Sequence, residues 1–202
     1  MRISKLFIDR QAADHPVTRS IQARLAVPSE LVQNARQVHE AVASTPDPIQ
    51  SGKEILYLTR NQGAFFKPCP GTRHYTCCDY KILHIGTFCY MDCTYCILQS
   101  YFRPPILEYF VNHEDMMAEL DAVLAQKKGR RIGTGEFTDS LIWTLWTDVS
   151  KILIKRFAAQ NFAVLELKTK TTAIEQLQHL DHNRKTIAAW SLNTPHIIHT
   201  EE

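Results

Sequence analysis

The stretch GTFCYMDCTYCILQS, residues 86–100, decides what kind of protein this is. It carries Cys89, Cys93 and Cys96 in the spacing C-x3-C-x2-C. The apolar run KILHIG at 81–86 comes directly before them and predicts a strand. Three thiols this close in sequence indicate a metal-binding loop rather than three small core residues. The stretch therefore predicts a strand that runs straight into a metal-binding loop.

The spacing favours a [4Fe–4S] cluster. Four cysteines saturate the four irons of such a cluster, whereas three leave one iron open for another molecule. The amine and carboxylate of S-adenosylmethionine can chelate that iron, and an electron from the cluster can then break the neighbouring C–S bond. A closed zinc site is the alternative, because Cys69, Cys77 or Cys78 could supply a fourth thiolate.

The composition of the 202-residue chain narrows its class further. Hydrophobic residues make up 45%, enough for a core, and the net charge of +2 gives no sign of nucleic-acid or membrane-surface binding. The sequence contains no apolar run long enough to cross a membrane, and its first residues lack the apolar stretch of a signal peptide. We expect a cytoplasmic protein that keeps its six cysteines reduced.

The remaining pattern predicts alternating strands and helices. The predicted strands are 54–60, 81–86, 130–136, 162–170 and 186–193. The predicted helices are 29–44 with Ser29 as N-cap, 113–129 with Gly129 as C-cap, 140–160 and 172–180, while 65–80 predicts an ordered loop. A short polar tail follows the last predicted strand. The four strands from Lys81 onward do not close a barrel, so the sheet is open or the sequence is cut short.

Polar residues follow several of these strands. GTGE at 133–136, KTK at 168–170 and SLN at 191–193 each end a predicted strand, as the cysteine loop does. Because right-handed crossovers place the carboxyl ends of parallel strands at one edge, we expect these groups at a common edge.

The segments CTYCILQSYF, RIGTGEFTDSL, LELKTKT and AAWSLN resemble the spore photoproduct lyase family of the radical S-adenosylmethionine superfamily. The resemblance covers about Pro68 to the end and implies an α/β fold, a partial radical-SAM (β/α) barrel with parallel strands. It also implies a mixed N-terminal α/β region at 1–65 and a truncated barrel at 66–202, which lacks the last third of the family's length.

The resemblance implies a role for each site residue. The cluster would be bound by Cys89, Cys93 and Cys96. Tyr95 would pack near the adenine, and Gly135 and Glu136 would bind the methionine amine. The remaining cofactor residues would be Thr138, Asp139 and Ser191 around the amine, Lys170 on the carboxylate, and Asn193 on the ribose or carboxylate. The implied partners are a flavodoxin- or ferredoxin-type electron donor and an organic substrate, DNA or a nucleotide among the candidates.

Two positions depart from the family pattern. Members that repair thymine dimers have a hydrogen-donor cysteine where this chain has Glu136, and a tyrosine where it has Ile97. A carboxylate does not readily return a hydrogen atom to a carbon radical, so we expect a substrate other than the thymine dimer. The alternative is a non-catalytic iron–sulfur protein or a degenerate fragment.

Two further expectations concern the rest of the chain. We expect Cys69, Cys77 and Cys78 to be small buried residues, with a second metal site that includes His74 as the alternative. We also expect an open sheet edge at 186–202 to cause poor solubility or to bind a partner chain.

Overall fold

The computed structural model describes residues 3–71, 73–76 and 78–201. The chain divides into two compact units. The first takes Met1–Gln62, Gly86–Asn112 and Leu192–Glu202, and the second takes Gly63–Ile85 and His113–Ser191. The units interleave along the sequence, whereas the division predicted at residue 65 follows the family resemblance and stays a prediction.

The elements alternate as an α/β fold requires. The strands are β1 Lys5–Asp9, β2 Ser29–Val32, β3 Ile55–Thr59, β4 Phe66–Pro68, β5 Lys81–Leu83, β6 Gly86–Thr87, β7 Leu107–Phe110, β8 Arg130–Gly133, β9 Ala163–Thr169 and β10 Thr186–Trp190. The α-helices are α1 Pro16–Leu25, α2 Ala35–Ala43, α3 Pro48–Glu54, α4 Leu98–Tyr101, α5 His113–Ala125, α6 Val149–Ala158 and α7 Pro195–Glu201. Short 3-10 helices lie at Arg10–Ala12 and Ile142–Leu145.

The first unit contains a sheet with the strand order β2-β1-β3-β7-β6. All neighbouring strands are parallel except β6, which runs antiparallel to β7. One face carries a core cluster formed by Phe7, Val32, Val38, Val42, Tyr57 and Ile106. Hydrophobic packing of these side chains holds α2 against the sheet.

The second unit contains a sheet with the order β10-β9-β8-β5-β4. The predicted set of four parallel strands from Lys81 is confirmed, because β5, β8, β9 and β10 pair in parallel and β4 adds an antiparallel edge. Helix α6 packs on β9 and buries Leu153 and Phe157. Within the described residues neither sheet closes on itself, so each sheet is open.

The helix predicted at 29–44 is wrong in its first half. Ser29–Val32 forms β2, which pairs in parallel with β1, and the helix begins only at Ala35 with Asn34 as its N-cap. Pairing with β1, a strand the sequence pattern did not predict, outweighs the helical periodicity of this segment.

The strand predicted at 81–86 is two strands. Residues Lys81–Leu83 belong to the sheet of the second unit and Gly86–Thr87 to that of the first. The chain leaves one sheet and enters the other at His84 and Ile85, so the cysteine loop follows β6 rather than β5. The apolar run is continuous because residues 82–88 are all buried.

The other helix predictions need three corrections. Helix α5 ends at Ala125, and Lys127, with φ 52°, takes the left-handed position predicted for Gly129. The 140–160 helix is interrupted, because the Thr147 hydroxyl donates to the Trp143 carbonyl between the 3-10 helix and α6. Residues 172–180 form a series of turns rather than a helix.

The polar end predicted after the last strand contains helix α7. Thr194 and Pro195 are its start signal, since proline is favoured in the first turn of a helix. No helix in the described part of the chain combines the length and apolar character needed to cross a membrane.

Candidate functional site

The cysteine loop of the first unit runs from β6 to α4. Cys89 and Cys93 are buried, Cys96 is half-buried, and none of the three forms a disulfide. The loop therefore presents three reduced thiols within eight residues. That is the donor chemistry that iron–sulfur clusters use.

Hydrogen bonds inside the loop fix its course. The Met91 amide donates to Cys89 Sγ at 3.4 Å, and a donor of this kind stabilises a thiolate. The Cys93 carbonyl accepts from the Cys96 amide at 3.0 Å and from Gln99 Nε2 at 2.6 Å. Phe88 precedes the first cysteine with φ 66°, an unusual value for a residue other than glycine. The thiols thus sit on a turn with a defined backbone path.

Neighbouring elements of the first unit hold the loop at its start and between Cys93 and Cys96. Thr87 donates to Glu108 at 3.3 Å, and burial raises the pKa of the Glu108 carboxyl. The Thr94 amide donates to the Glu201 carbonyl at 2.9 Å, and the Thr94 hydroxyl bonds the Glu201 carboxylate. Helix α7 therefore contacts the loop that the sequence placed far from it.

The structure brings Tyr95 and Asn193 together. Asn193 Nδ2 donates to the Tyr95 hydroxyl at 2.7 Å, and the Tyr95 side chain is exposed. Tyr95 was predicted to pack near the adenine and Asn193 to contact the ribose or the carboxylate, and the two residues form one polar contact next to Cys96.

The donor side chains in the described residues form no preorganised site for a single metal ion. Within residues 3–71, 73–76 and 78–201, no three His, Cys, Asp or Glu side chains lie close enough to hold one metal ion. Thiolates that ligate a cubane each bind a different iron, so they need not converge on one point. The described part of the chain thus offers no closed zinc site.

In the second unit, Asp139 connects the loop after β8 to the end of β9. Its carboxylate accepts from the Leu141 amide at 2.9 Å, the Thr169 hydroxyl at 2.9 Å and the Lys170 amide at 2.8 Å. Burial raises the pKa of Asp139, and these hydrogen bonds oppose the rise. The carboxylate thus fixes the backbone at the carboxyl end of β9.

Lys170 and Ser191 continue this arrangement. Lys170 Nζ donates to the Ser191 carbonyl at 3.1 Å, and the Ser191 amide donates to the Thr169 carbonyl at 2.9 Å. Asp139, Lys170 and Ser191 come from three separate sequence segments and meet at adjoining strand ends. The predicted common edge is therefore observed for Lys170 and Ser191, and Asp139 adjoins it.

The GTGE turn lies close to β9. A Cβ added at Gly135 would lie 2.9 Å from both Lys168 Cβ and Ser140 Oγ, so only glycine fits without a shift. Glu136 is half-buried and Thr138 is buried, with its hydroxyl donating to the Asp139 carbonyl at 3.3 Å. The structure thus places the remaining predicted residues of this unit along one turn.

A polar cluster around Glu166 was missed by the sequence reasoning. The buried Glu166 carboxylate accepts from the Tyr80 hydroxyl at 3.0 Å and pairs with Arg131 at 3.2 Å and Lys168 at 3.3 Å. The sequence contained a signal for this cluster. Glu166 and Lys168 are two residues apart on one predicted strand and therefore lie on the same face.

The expectation that the upstream cysteines are small buried residues is wrong for the two that the structure describes. Cys78 is exposed and Cys69 is half-buried, so neither is a fully buried residue, while Cys77 lies outside the described residues. His74 has φ 74°. No metal site that includes these residues is found in the described part of the chain.

Comparisons with known proteins identify the family of the chain. The family model described as Spore photoproduct lyase matches residues 72–202, which is more than half of the chain. A curated relative, spore photoproduct lyase of Clostridium acetobutylicum, is 21% identical over 204 residues, which cover 98% of this chain and 59% of that protein. The chain thus spans less than two thirds of this relative's length.

Solved structures agree on the fold. A spore photoproduct lyase complexed with dinucleoside spore photoproduct matches with a TM-score of 0.84 and 18% identity, covering 98% of this chain and 58% of that one. A mutant of that enzyme with bound AdoMet and dinucleoside spore photoproduct matches at 0.83 and 19%, with the same coverage. By the family model and by fold, this chain belongs to the spore photoproduct lyase family.

Proposed function

We propose that the chain is a radical S-adenosylmethionine enzyme of the spore photoproduct lyase-like type. It would use a [4Fe–4S] cluster to cleave S-adenosylmethionine to a 5′-deoxyadenosyl radical, which acts on an organic substrate. The single observation that carries the proposal is the loop of three reduced thiols, Cys89, Cys93 and Cys96, in a member of this family.

The three cysteines would ligate three irons of the cluster. The cluster, when bound, supplies the electron that breaks the C–S bond of S-adenosylmethionine. The chain's own task is to hold the thiolates in place. The Met91 amide on Cys89 and the turn at Cys93 serve that purpose, since hydrogen bonds to cluster sulfurs also tune the reduction potential.

The remaining site residues would orient the cofactor. Lys170 would pair with the methionine carboxylate, and Glu136 would accept from its ammonium group at the tight Gly135 turn. Asp139 and Thr138 would act mainly by fixing this turn, because the Asp139 oxygens already accept three protein donors. Ser191 would position Lys170, and Tyr95 with Asn193 would contact the adenosine.

The substrate class follows from the family and from one departure. The solved relatives bind dinucleoside spore photoproduct, which points to a nucleotide or nucleic-acid substrate. Glu136 stands where thymine-dimer repair needs a hydrogen-donor cysteine, so we assign the chain another substrate of this class. A cytoplasmic flavodoxin or ferredoxin would supply the electron. The non-catalytic alternative has no observation of its own in its favour.

The test is anaerobic reconstitution with iron and sulfide, followed by dithionite and S-adenosylmethionine. We expect 5′-deoxyadenosine from the wild type and from Cys69→Ala, and none from Cys93→Ala. Cys69 is the matched control, since it is a half-buried thiol outside the loop. Equal product from Cys93→Ala would overturn the proposal.

A further inference from the structure

Lys53 is a buried lysine that pairs with the cysteine loop. Its side chain is 1% exposed, and its ammonium group forms an ion pair with Asp92, the residue before Cys93. The Asp92 side chain is 74% exposed. Lysine is almost never fully buried unless it is paired, so Asp92 is the group that makes the burial of Lys53 tolerable.

Lys53 comes from a fixed element. Helix α3 begins at Pro48 with Asp47 as its N-cap, whose carboxylate accepts from the Gln50 amide at 3.0 Å. Next to Lys53, an added Cβ at Gly52 would lie 1.6 Å from the Pro105 carbonyl oxygen, so the helix backbone lies directly against the chain before β7. The lysine therefore offers its charge from a rigid position.

Stability alone does not account for this ion pair. A buried charge costs desolvation energy, and an apolar side chain of similar volume often serves stability as well or better. A buried charge at a fixed position also holds its ion-pair partner in one defined position. The Lys5–Glu30 pair of the same unit differs, because both of its side chains are largely exposed and join neighbouring strands β1 and β2.

We propose that Lys53 is a positioning residue for the cluster. It fixes Asp92 and thereby holds Cys93 where that thiolate ligates iron. This inference rests on the proposed function for its purpose, but the contact acts on the protein without the cluster. Thr87 secures the start of the loop and Thr94 its second half, and Lys53 contacts it between these two points.

The first test uses the full chain without iron. Each thiol is alkylated under native conditions, and the rate at each cysteine is read by mass spectrometry. We expect Lys53→Met and Asp92→Ala each to raise the alkylation rate of Cys93 about ten-fold or more, because the loop opens more often. The exposed Cys78 serves as an internal standard with an unchanged rate.

Lys5→Met is the matched control, since it removes an ion pair of the same unit that does not contact the loop. A Cys93 rate within about two-fold of the wild type in both variants would overturn the inference. If Asp92→Ala does not fold, Lys53→Met decides alone, because it replaces the buried charge with an apolar side chain of similar volume.

A second measurement separates this inference from the proposed function. After reconstitution, the rate of iron loss to a chelator is compared between Lys53→Met and Lys5→Met. We expect faster loss only in Lys53→Met, and equal loss would overturn the positioning role. A wild type that binds no iron would contradict the proposed function, while the alkylation rates would still decide whether Lys53 positions the loop.

Discussion

At the scale of single residues, burial sets the charge of one group near the strand ends. His84 lies between β5 and β6, and its ring meets Phe137 edge-on at 4.9 Å between centroids. Burial, together with nearby Lys67, lowers the pKa of His84 from 6.5 to about 4. The imidazole is therefore neutral in the folded protein at neutral pH.

This lowered pKa predicts an acid-sensitive fold. Between the folded value of about 4 and the ordinary 6.5, the unfolded chain binds more protons than the folded one, so stability falls as the pH falls. From pH 7 to 4.5 we expect His84 to account for a loss of about 2–3 kcal/mol. Urea unfolding at both pH values checks this.

The control variants make that prediction specific. His84→Leu should flatten the acid loss, whereas His179→Leu, which changes an exposed imidazole of the same unit, should leave it as in the wild type. A His84→Leu variant that loses as much stability as the wild type on acidification would contradict the assignment.

A second residue-scale prediction concerns Lys170. If its ammonium group pairs with the methionine carboxylate, Lys170→Met should weaken S-adenosylmethionine binding about ten-fold or more, because a charge-assisted hydrogen bond is lost. Equilibrium binding to the reconstituted protein measures this. Lys168→Met is the control, since Lys168 lies two residues earlier, on β9, and pairs with Glu166. A larger effect at Lys168 than at Lys170 would reverse the two roles.

At the residue scale, the sequence suffices to propose a chemical role where the spacing of residues indicates one. The spacing of Cys89, Cys93 and Cys96 predicts that they bind a metal centre. The position of Lys170 after a strand predicts that it belongs to the site. Lys53 does not, because nothing local in the sequence marks a lysine that becomes buried against a loop thirty-nine residues away. Two of the three hydrogen bonds of Asp139, those from Thr169 and Lys170, likewise depend on contacts between distant segments.

At the scale of elements, the packing of α3 is the feature with the sharpest consequence. An alanine in a helix normally stabilises it relative to glycine. Gly52→Ala should instead destabilise the protein by about 1–3 kcal/mol, because its Cβ would overlap the Pro105 carbonyl. Gly129→Ala is the control, since the nearest atom to its Cβ would be 3.9 Å away. Denaturant midpoints decide, and a neutral Gly52→Ala would show that α3 can shift.

Elements with strong local signals were predicted and those set by pairing were not. Strands β3, β8, β9 and β10 and most of α5 follow the sequence pattern. Strand β2 was taken for helix because its partner β1 decides its conformation. The sequence of 172–180 has a helical pattern, but the structure has turns there. The Thr171 hydroxyl accepts from the Ala173 amide, and the Thr171 carbonyl accepts from the Trp190 indole.

At the scale of the whole molecule, the second sheet ends, within the described residues, at a strand that pairs on one side only. Strand β10 is the last strand of its sheet, and Ile187 and Trp190 on it are both more than 40% exposed. An apolar edge of this kind pairs with other chains. We therefore expect self-association that rises with protein concentration, as seen by sedimentation velocity.

A charge on the edge should suppress that association. Ile187→Lys is expected to shift the protein toward monomer, whereas Ile152→Lys, which charges a similarly exposed isoleucine on α6, should not. A wild type that stays monodisperse and monomeric at every concentration would contradict self-association through the β10 edge.

The central claim is that a chain of this family holds an open-iron cluster on its three-cysteine loop. Its most direct test is the electron paramagnetic resonance spectrum of the reconstituted, dithionite-reduced protein, recorded with and without S-adenosylmethionine. The account predicts a [4Fe–4S] signal that changes shape when S-adenosylmethionine is added, because the cofactor binds the iron without a cysteine. A cluster signal that stays the same on addition, or a protein that takes up no cluster, would contradict it.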